Sequence, residues 1–439
     1  MGDFFRLSGL SRLTNSSNYD IFLKWSKNSL YGVIDQGLFS TSNFLINIFF
    51  GRWLSEKDYG AYAIGFTIFL ILSTFQSSLI FEPMAVFGQG DLKEKGKTYF
   101  GSLVVIQFIL TVIIGIVLVV ASLFSDQNIK QPLIGLSVSI SFILMYWYFR
   151  QACYVELRPG TAAITSLVYA LINGIGLYFV NRLELFDSAI PFMMMGISSI
   201  FASTLAIALL QYQITFKLDS SVWFVIKKHW NYGKWLLAST IPNSISTFAF
   251  VPMIGVIINL QYSGAFRAIQ NLILPIQQVF AVLTLLFLPR LSKFNYAGDK
   301  SSVSKYSITF FGINLAVLVV YLLLLIPLSP IILQLFYQNS FYESFYNLIP
   351  LWGLCLFLGI IIQTFTNLLR IAEKTKSILF AKIGAATCIF CFGYFLIKHF
   401  LLTGALIVII LSLFVETLFV IFQYRHSDKS KVMKDLNGV

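Results

Sequence analysis

Seven charged residues stand within or at the edges of long apolar stretches of this sequence: Asp35, Glu82, Arg150, Arg267, Arg290, Lys382 and Glu416. An ionisable group placed at the centre of a bilayer costs about 2.5–3.5 kcal/mol on insertion scales, so each is a candidate for function before anything else is known. Arg presents a planar fork of donors that fits phosphate or carboxylate in a bidentate way, and Lys acts as a point charge. Arg267 is thus a candidate to bind an anion in a cavity, or else an Arg that snorkels to the nearer interface. Arg150 and Arg290 end their apolar segments and could form a cationic mouth or serve as interfacial anchors. Asp35, between Gly32 and Gly37, is either a proton or Na⁺ site or a hydrogen-bonded structural carboxylate. Glu82 has the same two readings, with an interfacial location for the second. Lys382 and Glu416 lie at matching depths in consecutive segments, which suggests a structural ion pair over direct ligand contact.

Composition says where such residues must sit. Of 439 residues, 57% are hydrophobic and 11% are charged, with a mean hydropathy of +0.79. A soluble domain carries about 25% charged residues, so this chain has too few to cover a water-facing surface. A membrane helix needs about 20 apolar residues. Twelve stretches qualify: 30–50, 60–82, 98–124, 131–152, 161–180, 188–211, 234–259, 262–289, 306–336, 342–367, 376–397 and 400–424. They are continuous and lack the alternation of barrel strands. Backbone satisfaction in lipid then requires helices. The expected fold is an all-α integral membrane protein of about twelve transmembrane helices.

Lys and Arg alternate between the loops. With the N-terminus inside, 24 of the 31 fall in inner loops and tails and 5 in outer loops. By the positive-inside rule both termini are cytoplasmic. The net charge of +12 then reflects loops facing anionic membrane lipids, and no nucleic-acid partner is implied. The segment 1–13 reads as an amphipathic surface helix. Cys388-x-x-Cys391 has redox or zinc spacing, yet it lies in an apolar span with no acid or His nearby, so a packing role is expected. Tyr146-Trp147-Tyr148-Phe149 reads as an interfacial aromatic belt. No cofactor motif is visible.

The chain also repeats itself. Trp25, Gly60 and Pro83 recur as Trp230, Gly264 and Pro289, at separations of 205, 204 and 206 residues. Six spans restore the starting side, so the repeats are parallel, related by an axis along the membrane normal. This predicts two six-helix lobes, 1–211 and 234–439, joined by a polar interfacial connector at 212–233. A site between such lobes is the arrangement of a transporter.

One block carries a family resemblance. Ser29-Leu30-Tyr31-Gly32-Val33-Ile34-Asp35-Gln36-Gly37-Leu38 is followed by Gly51-Arg52-Trp53-Leu54, then Tyr59-Gly60-Ala61-Tyr62-Ala63 and Glu82-Pro83. It resembles the N-terminal half of Wzx-type polysaccharide flippases, of the superfamily that also holds lipid II flippases and MATE exporters. The likeness is sharpest over about residues 28–100. It implies a non-enzymatic flippase of the bacterial inner membrane. Its substrate would be an oligosaccharide unit on undecaprenyl pyrophosphate, moved to the outer leaflet for O-antigen or capsule by alternating access. Coupling to H⁺ or Na⁺ and contact with other polysaccharide-assembly proteins go with that expectation. Two other readings stay open. One is a MATE-like exporter of small cations, and the other is a membrane polysaccharide polymerase or glycosyltransferase.

Overall fold

The computed structural model describes residues 16–88, 96–212, 220–372 and 374–436. The amphipathic segment 1–13 and residues 213–219 of the connector lie outside them. The first half contains α1 (Ser16–Trp53), α2 (Glu56–Gln76), a π-helical turn (Ser77–Phe81), α3 (Glu82–Phe87), α4 (Gly96–Leu123), α5 (Gln127–Val155), α6 (Pro159–Arg182) and α7 (Ile190–Leu210). The second contains α8 (Ser220–Phe248), α9 (Phe250–Ile257), α10 (Leu260–Tyr296), α11 (Lys300–Tyr337), α12 (Ser340–Glu343), α13 (Ile349–Ile371) and α14 (Thr375–Leu436). No strand occurs among the described residues.

Among the described residues, nine helices are long and apolar enough to cross a membrane, and a bent pair makes a tenth. The remaining crossings follow from geometry. At 1.5 Å per residue, 62 residues of α14 would extend about 93 Å, three times the hydrocarbon thickness. Leu401 interrupts it with φ 52° and ψ −132°. The chain reverses there so tightly that a Cβ on Gly404 would lie 1.9 Å from the Leu396 carbonyl oxygen. α14 is therefore two antiparallel spans. α1 is long enough, though Asp35, Asn43 and Asn47 lower its hydropathy. Twelve crossings result among the described residues.

Prolines shape three places where the sequence suggested plain spans. α8 and α9 form one broken span bent by 52°. Pro252 lacks the N–H that would bond the Phe248 carbonyl four residues back, and the break falls at that point. Pro350 opens α13, so the span expected from 342 begins with short α12 and a 3-10 turn instead. α2 does not stop at Pro83. The helix widens into the π turn, passes Pro83 and continues to Phe87. Pro83 has no N–H for the carbonyl of Leu79, and that carbonyl binds the Nδ1 of His229 at 3.2 Å instead. His229 Nδ1 is therefore the donor, and its Nε2 accepts from the Tyr99 hydroxyl at 2.9 Å. α8 closes onto the turn so nearly that a Cβ on Gly233 would meet the Ser78 carbonyl oxygen at 2.8 Å.

The helices of each half pack mainly on one another: α4, α6 and α7 against α5, α1 or each other, and α10, α13 and α14 around α11 and α9. Between the halves, α2 meets α10 and α8, and α1 meets α11. The aromatic run at the end of α5 is not an interfacial belt. Tyr146, Tyr148 and Phe149 are fully buried. Tyr146 stacks on Tyr169 at 5.0 Å and shares a hydrogen bond with Ser166. The Tyr148 hydroxyl donates to the Phe100 carbonyl. These contacts hold α4, α5 and α6 together.

His229 lies below the α8 span, and burial pushes its imidazole down to about 4. The unfolded chain takes up a proton near pH 6.5. A base whose folded pKa is depressed is fully stabilising above the unfolded value, and stability is lost as pH falls from 6.5 towards 4. Thermal melts of purified protein between pH 7 and pH 5 should show a loss of which His229 contributes about 2 kcal/mol. The His229→Gln variant should show a smaller loss, and an equal loss would remove this assignment.

Candidate functional site

A cavity of about 1060 Å³ lies between the two halves. Its walls come from α1 and α2 on one side and from α8, α9, α10, α11, α13 and α14 on the other, with Trp147 reaching in from α5. Towards the chain termini its lining residues Gln36, Thr41, Gln277 and Gln278 are exposed. At the end where α1 turns into α2 it is closed. There Tyr59, Tyr337 and Tyr342 form a mutually packed ring cluster, with centroids 5.5–6.0 Å apart. Asn271 donates to both Tyr59 and Tyr337, at 3.1 and 3.0 Å. The amide of α10 thus ties α2 to α11.

Arg267 sits directly beneath that closure. It is buried, at 4% exposure, so it does not snorkel. α10 places it there: Asn259 caps the helix by accepting the Tyr262 N–H, and Arg267 follows about two turns in, on the face that meets α2. Its guanidinium lies 4.7 Å from the centroid of the Phe66 ring. Nη1 donates to the Gln270 side chain at 2.9 Å, and Nε has no hydrogen-bond partner within the protein. Its electrostatic neighbours are the hydroxyls of Tyr59, Tyr62 and Tyr337. Among the described residues it makes no ion pair.

Around it the cavity presents nine carboxamides: Gln36, Asn43, Asn47, Gln270, Asn271, Gln277, Gln278, Asn314 and Gln363. Phe66, Phe266, Phe310 and Trp352 supply aromatic faces. Among the described residues, no Asp, Glu or Lys lines it. Chemically this is a pocket with one positive group, many neutral donors and acceptors, and apolar surface.

The other candidates fall elsewhere. Arg150 and Asp35 are brought together as a bidentate pair: Nε to Oδ1 at 3.1 Å and Nη2 to Oδ2 at 2.7 Å. Arg150 is therefore not an unpaired cation of a mouth, and Asp35 is not an unpartnered carboxylate. Asp35 also accepts from the Tyr154 hydroxyl at 2.5 Å and from the Ser166 hydroxyl. Phe39 covers the Arg150 guanidinium at 3.9 Å and forms the cavity wall in front of it. Lys382 and Glu416 stand 2.8 Å apart, joining the two spans of α14. Glu82 is exposed and outside the cavity. Arg290 is exposed and donates to the Tyr306 hydroxyl at 3.1 Å. Sequence reasoning missed Gln270, Phe66 and the tyrosine lid. A Gln one turn after the Arg was the available signal for the first, and the other two arise only from the packing of α2 and α10 with each other and with α11 and α12.

No protein-family model matches the chain, and no curated protein matches it. Solved structures do. A multidrug resistance MATE family transporter of the MOP superfamily, in an inward-facing conformation, superposes with a TM-score of 0.72 at 13% identity, covering 91% of this chain and 99% of that one. The chain shares its fold with that transporter. The lipid II flippase MurJ, in an inward closed conformation, gives 0.69 at 15% identity over 91% and 87% of the two chains. A MOP superfamily transporter from Pyrococcus furiosus, described as having a binding pocket of reverse polarity, gives 0.63 at 14% identity over 92% and 96%.

Removing one partner of a buried pair leaves the other charge uncompensated, typically at a cost of about 3–5 kcal/mol. Asp35→Asn and Arg150→Met should each lower the melting temperature and membrane level of the protein. Combining Asp35→Asn with Arg150→Met should destabilise less than the sum of the two. Additive losses in this double-mutant cycle would show that the two side chains act independently.

Proposed function

We propose that this protein is a flippase for undecaprenyl-pyrophosphate-linked oligosaccharide repeat units, moving them from the cytoplasmic to the outer leaflet of the bacterial inner membrane for O-antigen or capsule assembly. The observation that carries this reading is Arg267. Of three cations within the spans, Arg150 and Lys382 each face a carboxylate, while Arg267 faces a cavity and lacks one. A buried guanidinium with a free Nε donor is suited to an anionic ligand, and a pyrophosphate offers several acceptors to a planar fork. The carboxamides match neutral sugar hydroxyls, which both donate and accept.

The two six-helix lobes rock about the cavity, so the headgroup is exposed to one leaflet and then the other. Both termini and the 212–233 connector lie on the cytoplasmic side, and the tyrosine lid lies on the outer side. Saturation of Asp35 by Arg150, Tyr154 and Ser166 supports its structural role over an H⁺ or Na⁺ site. The drive would come from an ion gradient or the membrane potential acting on the transport cycle. A MATE-like exporter of cations is the second reading. No carboxylate is among the described residues that line the cavity, which weighs against it, because an organic cation finds no counter-charge among them. The exposed position of Glu82 gives no remedy.

Charge removal at the site tests the proposal. Arg267→Gln should reduce surface glycan at least about tenfold at parental protein level, since a buried charge-assisted contact to a ligand commonly contributes 2 kcal/mol or more. Arg267→Lys should retain part of the activity, because it keeps the charge and loses the fork. Normal glycan assembly by Arg267→Gln would remove Arg267 from the site.

A further inference from the structure

The closed end of the cavity is built twice from the same parts. Ser55 caps α2 by accepting the Asp58 N–H at 3.1 Å, and Asn259, 204 residues later, caps α10 by accepting the Tyr262 N–H at 3.1 Å. Gly60 stands one turn into α2, and Gly264, again 204 residues later, stands one turn into α10. The two glycines face each other's helix. A Cβ on Gly60 would lie 1.7 Å from the carbonyl oxygen of Leu260. A Cβ on Gly264 would lie 3.0 Å from that of Glu56, and 3.2 Å from the Gly60 nitrogen. Glu56 and Leu260 are themselves 204 residues apart. Residue i of one repeat therefore touches residue j of the other, and j touches i, as across a two-fold axis.

We propose that Gly60 and Gly264 are the seat of a gate, which closes the cavity at the α1–α2 turn and opens by separation of α2 from α10 about this shared axis. Backbone packed on backbone is possible only without side chains, so the closed position is set by two residues. The contact is tighter at Gly60, where the obstacle is backbone that cannot rotate away. It is looser at Gly264, where a shift of a few tenths of an ångström suffices. The tyrosine cluster lies just inside the seat, and Arg267 lies one turn beyond Gly264. Opening here uncovers the cavity on the side opposite its present mouth. The inference rests on the alternating-access part of the proposed function and on nothing about the substrate.

Cys355 is a native reporter, because it lines the cavity and is buried. A membrane-impermeant maleimide is applied to intact protein in vesicles from the side of the α1–α2 turn. That side is established with Lys57→Cys, at an exposed position in the first turn of α2. Modification of Cys355 is read by peptide mass spectrometry. Gly60→Ala should raise its rate at least about tenfold by weakening the closed state alone. Gly264→Ala should raise it less, and Gly174→Ala, whose Cβ meets nothing within 4 Å, should match the parent. Should Gly60→Ala fail to accumulate, a Glu56→Cys, Gly264→Cys pair decides. Oxidation should cross-link it and suppress Cys355 modification from that side, and reduction should restore it. Parental labelling in Gly60→Ala, or a pair that cross-links without effect on Cys355, would overturn the gate. Because no substrate is present, failure of the Arg267 test would leave these results standing, and the reverse also holds.

Discussion

A cation in the hydrocarbon region of a bilayer must be paired with an anion or face a polar, water-accessible cavity, because lipid cannot solvate it. This chain places Arg150, Arg267 and Lys382 at such depths. Two of the three are neutralised internally, by Asp35 at 2.7 Å and Glu416 at 2.8 Å. Each pair is local to one half of the molecule. One ties α1 to α5, and the other ties the two spans of α14. The halves are thus electrostatically complete on their own, and the charge that is left over faces the space between them. Its burial is eased by Phe66, Gln270 and the neighbouring tyrosine hydroxyls. None of these is an anion. The net charge of the cavity is set by this remainder, and so is the kind of ligand it favours.

The internal repeat gives the remainder its place. α2 and α10 are equivalent helices, each begun by a side-chain cap and each carrying a glycine one turn in. Their close approach seals one end and forces the cavity open at the other. Prolines then deform the end of the α2 span and the α8–α9 span that packs against it. Pro252 breaks the α8–α9 span, and Pro83 frees a carbonyl that His229 takes up. The hydroxyl contacts Ser78–Thr240 at 2.7 Å and Thr74–Ser244 at 3.2 Å continue that seam along α2 and α8. One flank is stitched by polar contacts while the cavity lies beside it.

Much of this was legible in the sequence, and the reason is the bilayer. Apolar runs of the necessary length announce their helices, and a charged residue inside one stands out by its cost. Arg267, Lys382 and Glu416 were visible on those grounds, and neighbouring spans at one depth suggested the second pair. The Asp35–Arg150 pair was not visible, because its members are 115 residues apart and no periodicity relates α1 to α5. The aromatic run at 146–149 misled because hydropathy cannot distinguish a ring facing lipid from one facing another helix. The reversal at Leu401 was legible as the gap between the stretches 376–397 and 400–424, where Lys398 and His399 interrupt the apolar run. Gly60 and Gly264 were legible as a repeat but not as a contact, since similarity of two helices says nothing of their meeting.

Ligand selectivity in the purified protein tests the central claim most directly. Native mass spectrometry can compare undecaprenyl pyrophosphate carrying an oligosaccharide, the same oligosaccharide on an uncharged lipid, and a lipophilic organic cation. An unpaired cation in an otherwise neutral cavity predicts preferential binding of the pyrophosphate lipid, with weaker binding of its uncharged analogue and no stable complex with the cation. Preferential binding of the cation, or equal binding of charged and uncharged lipid, would contradict it.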